Sequence, residues 1–357
     1  MERQSIIDFT LHLAFPRIEP TEITTMQNLL DPAILFFAFG MLAGTLKSNL
    51  EIPPPIARFL SLYLLMALGL KGGFALSHSG LTAEVVTSLA SAVLLALAIP
   101  LLGYQVLKRA VAPLDAAALA ATYGSVSAVT FVTATQFLEN QQTAFGGYMA
   151  AAMALMESPA IVLAVVMANA LRQRATVSVA CSPAAVAVMQ PPPGAGIWPI
   201  LRESFTDGAQ LLLLGAMAIG IITGDAGQAA MQPFSGDLFK GMLAFFLLDM
   251  GLLTARNLGQ VRRQSPWLIG YALIAPLAHA GLALALSWAL GINVGDATLL
   301  MVLAASASYI AVPAVLRHAI PEAQPALYFG MSLGVTFPFN ILLGIPLYAA
   351  LAQYALT

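Results

Sequence analysis

Hydroxyl side chains gather in two apolar segments, 120–133 and 304–313. The candidate ligands among them are Ser125, Ser127 and Thr130 in the first segment and Ser306, Ser308 and Tyr309 in the second. Small, hydroxyl-rich sequence with a glycine or proline allows a helix to unwind, which frees N–H groups for an anion and carbonyl groups for a cation. The two segments therefore predict a site for a small anion. The alternative is that small residues only let helices pack closely.

Two acidic residues, Glu157 and Asp249, interrupt other apolar segments. A charged group at the centre of a bilayer costs about 2.5–3.5 kcal/mol, so it is retained for a partner or a function. Each acid is either a cation or proton ligand, or a carboxylate that reaches water or backbone near a helix end. Thr336 and Asn340, on either side of Pro338, are further candidate cation ligands. Repair of a kinked backbone is the alternative for them.

Composition places these residues in a membrane protein. Hydrophobic residues make up 59% of the 357 residues and charged residues 9%, against about 25% charged residues in soluble proteins. The net charge of −2 does not indicate the basic surface that nucleic-acid-binding proteins carry. One cysteine, Cys181, excludes a disulfide framework and a thiolate metal cage. ATP-binding and serine-hydrolase motifs are absent from the sequence, and no acid–base pair converges, so we expect no enzyme.

Long apolar runs predict ten transmembrane helices. We place them at 30–46, 55–76, 84–107, 114–138, 145–171, 203–224, 237–256, 265–290, 294–316 and 325–353. A Pro/Gly-rich linker, 172–202, separates 30–171 from 203–357. The halves match at a nearly constant offset, for example Ser125–Ser127 with Ser306–Ser308 and Tyr148 with Tyr328.

Each half contains an odd number of helices, so the second half must be inverted relative to the first. We therefore predict an all-α polytopic fold of two inverted five-helix repeats, in which helices four and nine are broken and cross. Most basic residues, including Lys47, Lys108, Arg172 and Arg256, fall on the side of the linker. The positive-inside rule makes that side cytoplasmic and puts both termini outside. Lys71, near the outer end of helix two, is expected to snorkel to the surface.

Residues 1–29 are predicted to be an extracellular N-terminal segment, with Met26 as an alternative start. They contain several acidic residues and no long apolar core, so they do not fit a secretory signal.

Several short motifs follow one another in a specific order. They are Gly69–Gly73, Gly124–Ser127, Ile197–Ile200, Asp249–Gly251, Ile274–Pro276, Ala305–Ile310 and Leu316–Pro321. From about residue 30 onward the chain resembles the sodium-dependent bicarbonate transporter family, best known from cyanobacteria. The resemblance implies sodium-coupled symport of bicarbonate or a similar small anion, a homotrimer and a multi-pass protein of the bacterial inner membrane. It also implies a pocket where helices four and nine cross.

The chain departs from the cyanobacterial members at this crossing. Tyr309 replaces an aspartate, and Ala311 and Val312 replace a serine and a glycine. Ala128 and Val129 replace a glycine–serine pair. The departures indicate a divergent branch and leave a second reading open, a proton- or sodium-coupled carrier of a small organic anion such as a monocarboxylate. An intramembrane enzyme or a sensor is the remaining alternative.

The expected substrate ligands are Ser125, Ser127, Ser306, Ser308 and Tyr309. The resemblance implies the four serines, because the family's crossing-helix serines map onto them. The expected ligands of the coupling ion, Na⁺, are Thr130, Glu157, Asp249, Thr336 and Asn340. Glu157 stands where the cyanobacterial proteins have an aspartate, and Asp249 where they have an apolar residue. Membrane lipid and a PII-like cytoplasmic regulator are the other expected partners.

Overall fold

A computed structural model describes residues 31–80, 82–180, 208–262 and 264–357. This part of the chain is helical and contains no strand. The helices are α1 (Pro32–Thr45), α2 (Pro54–Ser79), α3 (Ala83–Leu107), α4 (Pro113–Gly124), α5 (Ala128–Asn140), α6 (Met149–Ala180), α7 (Gly208–Gln232), α8 (Phe239–Val261), α9 (Pro266–Leu290), α10 (Val294–Ala305), α11 (Ala311–Ala319) and α12 (Pro325–Leu356). The predicted N-terminal segment 1–29 and linker residues 181–202 lie outside the described residues.

Seven helices of the described chain are long and apolar enough to cross a membrane. One of these runs, Leu211–Gly259, contains both α7 and α8, joined through a π-helical turn at Pro233–Asp237. Large apolar side chains also point away from the protein, including Ile222 at 82% and Trp288 at 69% exposure. Lipid is the environment in which such a surface is stable. The chain is therefore a multi-pass membrane protein.

Some helix boundaries differ from the sequence-based prediction. The segments 114–138 and 294–316 agree with it, since they are predicted as broken helices four and nine and each forms two helices, with breaks after Gly124 and after Ala305. The helix predicted to end at residue 171 continues to Ala180, into the segment assigned to the linker. Residues 172–180 contain no glycine or proline, so the helix meets no breaker there.

Four helices, α1, α2, α7 and α8, form what we call the scaffold bundle. In it α1 packs along α8, and α2 packs along α7. Glycines bring the backbones together: a Cβ on Gly40 would lie 2.3 Å from the carbonyl oxygen of Leu248. A Cβ on Gly251 would lie 2.2 Å from the carbonyl oxygen of Phe37. Such close approach increases van der Waals packing between helices in lipid.

The remaining helices, α3–α6 and α9–α12, form the crossing bundle. Its centre is α4 and α10, where every residue from Asp115 to Gly124 and from Gly295 to Ala305 is buried. Around them α4 packs on α3 and α6, and α10 packs on α9 and α12. Gly124 rests directly on Pro100 of α3, whose ring atoms would lie 2.6 Å from an added Cβ. The C-terminal ends of α4 and α10 are therefore held in the interior, away from lipid.

Candidate substrate and cation site

The breaks after α4 and α10 lie side by side. Ser125 and Ser306, the first residues beyond each helix, have extended backbones. The Ser308 N–H donates to the carbonyl oxygen of Thr122 at 2.9 Å. The Ser127 N–H donates to the Ser306 hydroxyl oxygen at 3.1 Å. These two hydrogen bonds join the predicted breaks of helices four and nine into one crossing.

The second halves of the broken helices begin at the same place. Ser127 caps α5, since its hydroxyl oxygen accepts from the Thr130 N–H at 3.2 Å and from the Thr130 hydroxyl at 2.9 Å. Ser308 plays a similar part for α11, because its hydroxyl oxygen accepts from the Val312 N–H at 3.2 Å. The first N–H groups of a helix have no partner within it. The positive ends of two helix dipoles therefore meet at the crossing.

Ser125 is the exception among the crossing serines. Its hydroxyl oxygen is buried, the residue being 1% exposed, and it has no hydrogen-bond partner among the described residues. Its counterpart Ser306 donates to the carbonyl oxygen of Leu303 at 2.8 Å. A buried polar group without a partner costs about 1–3 kcal/mol. A native structure that keeps one calls for a functional explanation, such as a bound ligand.

Thr336 and Asn340 both bond to backbone carbonyls of neighbouring helices. Asn340 Nδ2 donates to the carbonyl oxygen of Ala305 at 2.9 Å, at the end of the broken α10. The Thr336 hydroxyl donates to the carbonyl oxygen of Ala272 at 2.8 Å. That carbonyl lacks its usual helical donor, because the residue four positions later is Pro276. Both side chains therefore have a structural role: each donates a hydrogen bond to a backbone carbonyl of another helix.

Asp249 approaches the crossing from the scaffold bundle. It is 6% exposed on α8 and directly precedes Met250, which Tyr309, the residue after Ser308, contacts. The Tyr309 hydroxyl donates to Met250 Sδ at 3.6 Å, and its ring centroid lies 5.1 Å from that of Phe337. Glu157 lies partly buried on α6, two positions before Pro159. The structure therefore places Asp249 beside the serine cluster through Tyr309.

A comparison with known protein families gives a match that is compatible with two broken helices crossing inside an apolar bundle. The model of the Na⁺-dependent bicarbonate transporter superfamily matches residues 32–353 of this chain. The chain belongs to this superfamily. The match spans both breaks and every candidate residue named above. A comparison with curated proteins finds no matching relative.

Membership confirms the resemblance read from the short motifs. The Na⁺-dependent bicarbonate transporter superfamily is a class of transporters and not of enzymes, so the chain is a membrane transporter. Within the described residues, no group of three or more His, Cys, Asp or Glu side chains could hold a metal ion.

Two buried aspartates, at the starts of α4 and α10, are not among the site residues predicted from the sequence. Asp296 accepts hydrogen bonds from the Gly146 N–H at 2.6 Å and from the Tyr148 hydroxyl. Asp115 accepts from the Gln324 N–H at 2.7 Å. Each carboxylate thus ties the start of a broken helix to the loop of the other half. Their separation along the chain equals that of Ser125 and Ser306, so the internal repeat contained the signal.

Proposed function

We propose that this protein is a secondary active transporter that carries bicarbonate, or a similar small anion, into the cell together with sodium. The observation that carries the proposal is the unpaired hydroxyl of Ser125, buried where the N-termini of α5 and α11 meet. Helix N-termini favour anions through their free N–H groups and their dipoles. A hydroxyl donor aimed at the same place adds a further ligand.

The anion would be held by groups of both breaks. Ser125 would donate its hydroxyl hydrogen, and the N–H groups at the starts of α5 and α11 that Ser127 and Ser308 leave unbonded would complete the polar shell. Ser127, Ser306 and Ser308 fix the backbone that presents these groups, through the hydrogen bonds that cross between the two breaks. Tyr309 closes the site on the side of Asp249, where its ring packs on Phe337.

Sodium would bind next to the anion, and Thr130, Asn340, Thr336, Asp249 and Glu157 are its candidate ligands. Thr130 bonds to the capping Ser127, and Asn340 bonds to the last carbonyl of α10, so both adjoin the crossing. Opposite charges a few ångströms apart in a protein interior attract strongly. Each ion would therefore raise the affinity for the other, which is the physical basis of symport.

We further propose the ten-helix inverted repeat as the topology. The contacts of Asp115 and Asp296 support it, because the start of α4 lies beside the start of α12 and the start of α10 lies beside the start of α6. Corresponding helices of the two halves thus begin at opposite ends of the bundle. Transport would then follow from movement of the crossing bundle against the scaffold bundle around the bound ions.

The family resemblance supports additional proposals. The protein would be a homotrimer in the bacterial inner membrane, with both termini outside and the linker 172–202 in the cytoplasm. The linker would be the place for a PII-like regulator to bind. The domain division into 1–29, 30–171, 172–202 and 203–357 also stands as a proposal.

Proton coupling is the second candidate mechanism, and Asp249 favours it. Its carboxylate is buried beside Tyr309, and it accepts no hydrogen bond from a described residue in the structure. A carboxylate retained within a membrane helix serves proton relays as well as cation sites. A proton-coupled carrier of an organic anion would bind its substrate in the absence of sodium, which the following experiment measures.

The decisive experiment is thermal denaturation of the purified protein with bicarbonate, with and without sodium, in the native protein and in Ser125→Ala. Stabilisation by a ligand follows from its affinity and concentration. A hydrogen bond to a charged group contributes about 1.5–3 kcal/mol, so Ser125→Ala should weaken bicarbonate binding about ten- to hundred-fold. In the native protein, bicarbonate should stabilise only when sodium is present.

Ser287→Ala is the matched control. Ser287 on α9 is fully buried, and its hydroxyl, like that of Ser125, has no partner among the described residues. It lies outside the crossing, so its loss should leave bicarbonate binding unchanged. Equal effects of the two substitutions would remove Ser125 from the site. Stabilisation by another anion without sodium would replace the proposed substrate and coupling.

A further inference from the structure

A cavity of about 580 Å³ opens between the two bundles. It lies between α2 and α5, and its wall also includes the loop 145–147, the start of α6, the end of α7, the turn Pro233–Asp237 and the start of α8. Three residues of α5, Phe131, Thr135 and Glu139, line it. They are spaced four residues apart and so share one face of the helix. The cavity therefore follows α5 along most of its length.

The inner end of the cavity comes close to the crossing. Phe131 follows the capping residue Ser127 by four positions, which is about 6 Å along a helix axis. The other end of α5 is Asn140, next to Glu139 at the mouth of the cavity. The cavity thus leads from the surface to within about one helical turn of the proposed anion site.

Lys71 and Glu139 meet across the mouth. The Lys71 Nζ atom lies 2.9 Å from Glu139 Oε1 and 4.3 Å from the ring centroid of Phe239. The sequence predicts that this lysine snorkels to the surface; its side chain is partly exposed and also pairs with an acid of the crossing bundle. The pairing could not be read from the sequence because the two residues are far apart in the chain.

Two more scaffold helices hold the tip of α5. Lys240 at the start of α8 donates from Nζ to Asn140 Oδ1 at 3.0 Å. Asn140 Nδ2 donates to Asp31 Oδ2 at 2.9 Å, and Asp31 caps α1. The last two residues of α5 are therefore tied to α1, α2 and α8. Movement of α5 relative to the scaffold bundle must break these contacts.

We propose that this cavity is the path by which the anion reaches the crossing, and that the Lys71–Glu139 pair is its gate. The proposal rests on the proposed function, since it assigns an access route to the same site. The mouth carries charges of both signs, Lys71 and Lys240 beside Glu139 and Asp237, so opening of the pair would expose the Lys71 ammonium to an entering anion. Both side chains of the pair are partly exposed, at 29% and 36%, so the pair is weak enough to open repeatedly.

Thiol labelling tests the path. Thr135→Cys is introduced into a Cys181→Ser background, Cys181 being the chain's single cysteine. The purified protein is labelled with an anionic methanethiosulfonate and reconstituted for uptake of labelled bicarbonate. Labelling at position 135 should abolish uptake, and bicarbonate with sodium should slow the labelling. Uptake that survives complete labelling overturns the path.

Thr87→Cys is the matched control for position 135. The hydroxyls of Thr87 and Thr135 each donate to a backbone carbonyl of their own helix, at 2.8 Å in both cases. Thr87 lies on α3 and does not line the cavity. Uptake by Thr87→Cys should survive the same treatment. Equal loss of uptake at both positions would also overturn the path.

Glu139→Gln tests the gate. It should speed labelling of Thr135→Cys by up to about five-fold, the equilibrium factor that one exposed ion pair supplies. Glu322→Gln breaks a similar pair, Arg172–Glu322 at 2.7 Å, away from the cavity, and should not change the labelling rate. An unchanged rate in Glu139→Gln, or an equal increase in both variants, refutes the gate.

The outcomes separate this proposal from the proposed function. If the protein binds bicarbonate but transports normally after labelling at position 135, the path is wrong and the function stands. If the protein binds no bicarbonate but Glu139→Gln still speeds the labelling of Thr135→Cys, the gated cavity stands. The proposed substrate is then refuted, together with the anion's use of this path.

Discussion

Ser125 and Ser306 occupy matching places in the two repeats but use their hydroxyls differently. Ser306 joins the Leu303 carbonyl to the Ser127 N–H. The corresponding carbonyl, that of Thr122, is taken directly by the Ser308 N–H. Ser125 is thereby left without a partner among the described residues. The difference arises because the hydrogen bonds between the two breaks are not symmetric. It leaves the Ser125 hydroxyl as a donor for a ligand.

The substitution Tyr309→Phe removes the hydroxyl and keeps the ring, so it tests their contributions separately. The ring packs on Phe337, and the hydroxyl donates to a methionine sulfur, a weak acceptor, and also interacts with the Ser127 side chain. Loss of the hydroxyl should therefore change the free energy of unfolding by less than about 0.5 kcal/mol. If Tyr309 is a ligand, bicarbonate stabilisation will fall in the same thermal denaturation series. Unchanged stabilisation would limit the residue to packing.

At the scale of elements, close helix packing and buried carboxylates position the crossing. Glycines let α1 approach α8, while Asp115 and Asp296 tie the starts of α4 and α10 to loops of the opposite half. The crossing bundle thus depends on contacts between distant segments. The two breaks can remain open in apolar surroundings because other side chains, such as Asn340, satisfy the carbonyls that they free.

Gly251→Ala should destabilise the α1–α8 pair. The added Cβ would lie 2.2 Å from the Phe37 carbonyl oxygen, and overpacking of this kind costs about 1–3 kcal/mol. Gly259→Ala in the same helix is the control, because nothing lies within 4 Å of its Cβ position. It should be neutral or slightly stabilising, by up to about 1 kcal/mol. Thermal denaturation of both variants measures the difference, and equal stability would contradict the close approach.

The Arg172–Glu322 pair should make a pH-dependent contribution to stability. The Arg172 guanidinium donates to both carboxylate oxygens, at 2.9 and 2.7 Å, and holds the pKa of Glu322 below its ordinary value of 4.5. A lowered pKa stabilises the folded state above the unfolded pKa, and this contribution disappears as the pH falls through the folded pKa. Because both side chains are partly exposed, the contribution is at most about 1 kcal/mol.

The measurement is the difference in Tm between the native protein and Glu322→Gln over a range of pH. The difference should be present at neutral pH and shrink as the pH falls below 4.5. A difference that grows on acidification would have the wrong sign for a depressed pKa and would refute the assignment. The pair links Arg172 of α6 to the loop after α11, so it also reports whether these elements stay docked.

At the scale of the molecule, two bundles of helices meet around one crossing. The described chain contains seven helices long enough to span a membrane, against the ten spans predicted from hydropathy. The shorter α1 and α10 are apolar but have fewer than 18 residues, and α7 and α8 form one run. The inverted arrangement of the halves stays a prediction, supported by the contacts of the two aspartates.

Cysteine accessibility at repeat-equivalent sites tests the inversion. Ala110 precedes α4, and Leu290 precedes α10 at the corresponding position of the second half; both are exposed. In a Cys181→Ser background, Leu290→Cys should react with a membrane-impermeant thiol reagent in intact cells. Ala110→Cys should react only after the cells are permeabilised. Reaction of both positions from the same side would rule out inverted repeats.

The sequence by itself determined the membrane class, the family and the places where the two central helices break. These are local properties: apolar runs predict spans, and a small, hydroxyl-rich stretch predicts unwinding whatever surrounds it. Ser125 to Ser127 and Ser306 to Ser308 were therefore located without a structure. The Asp115 and Asp296 contacts were missed, although the repeat placed the two acids at equivalent positions.

Only the tertiary structure decided which hydroxyl is left without a partner, what Thr336 and Asn340 bond to, and that Lys71 meets Glu139 over a cavity. Each of these contacts joins segments that are distant in the chain. A hydrogen bond or an ion pair forms only when two groups come within about 3 Å of each other. That distance is set by how the helices pack, and no pattern within one helix specifies it.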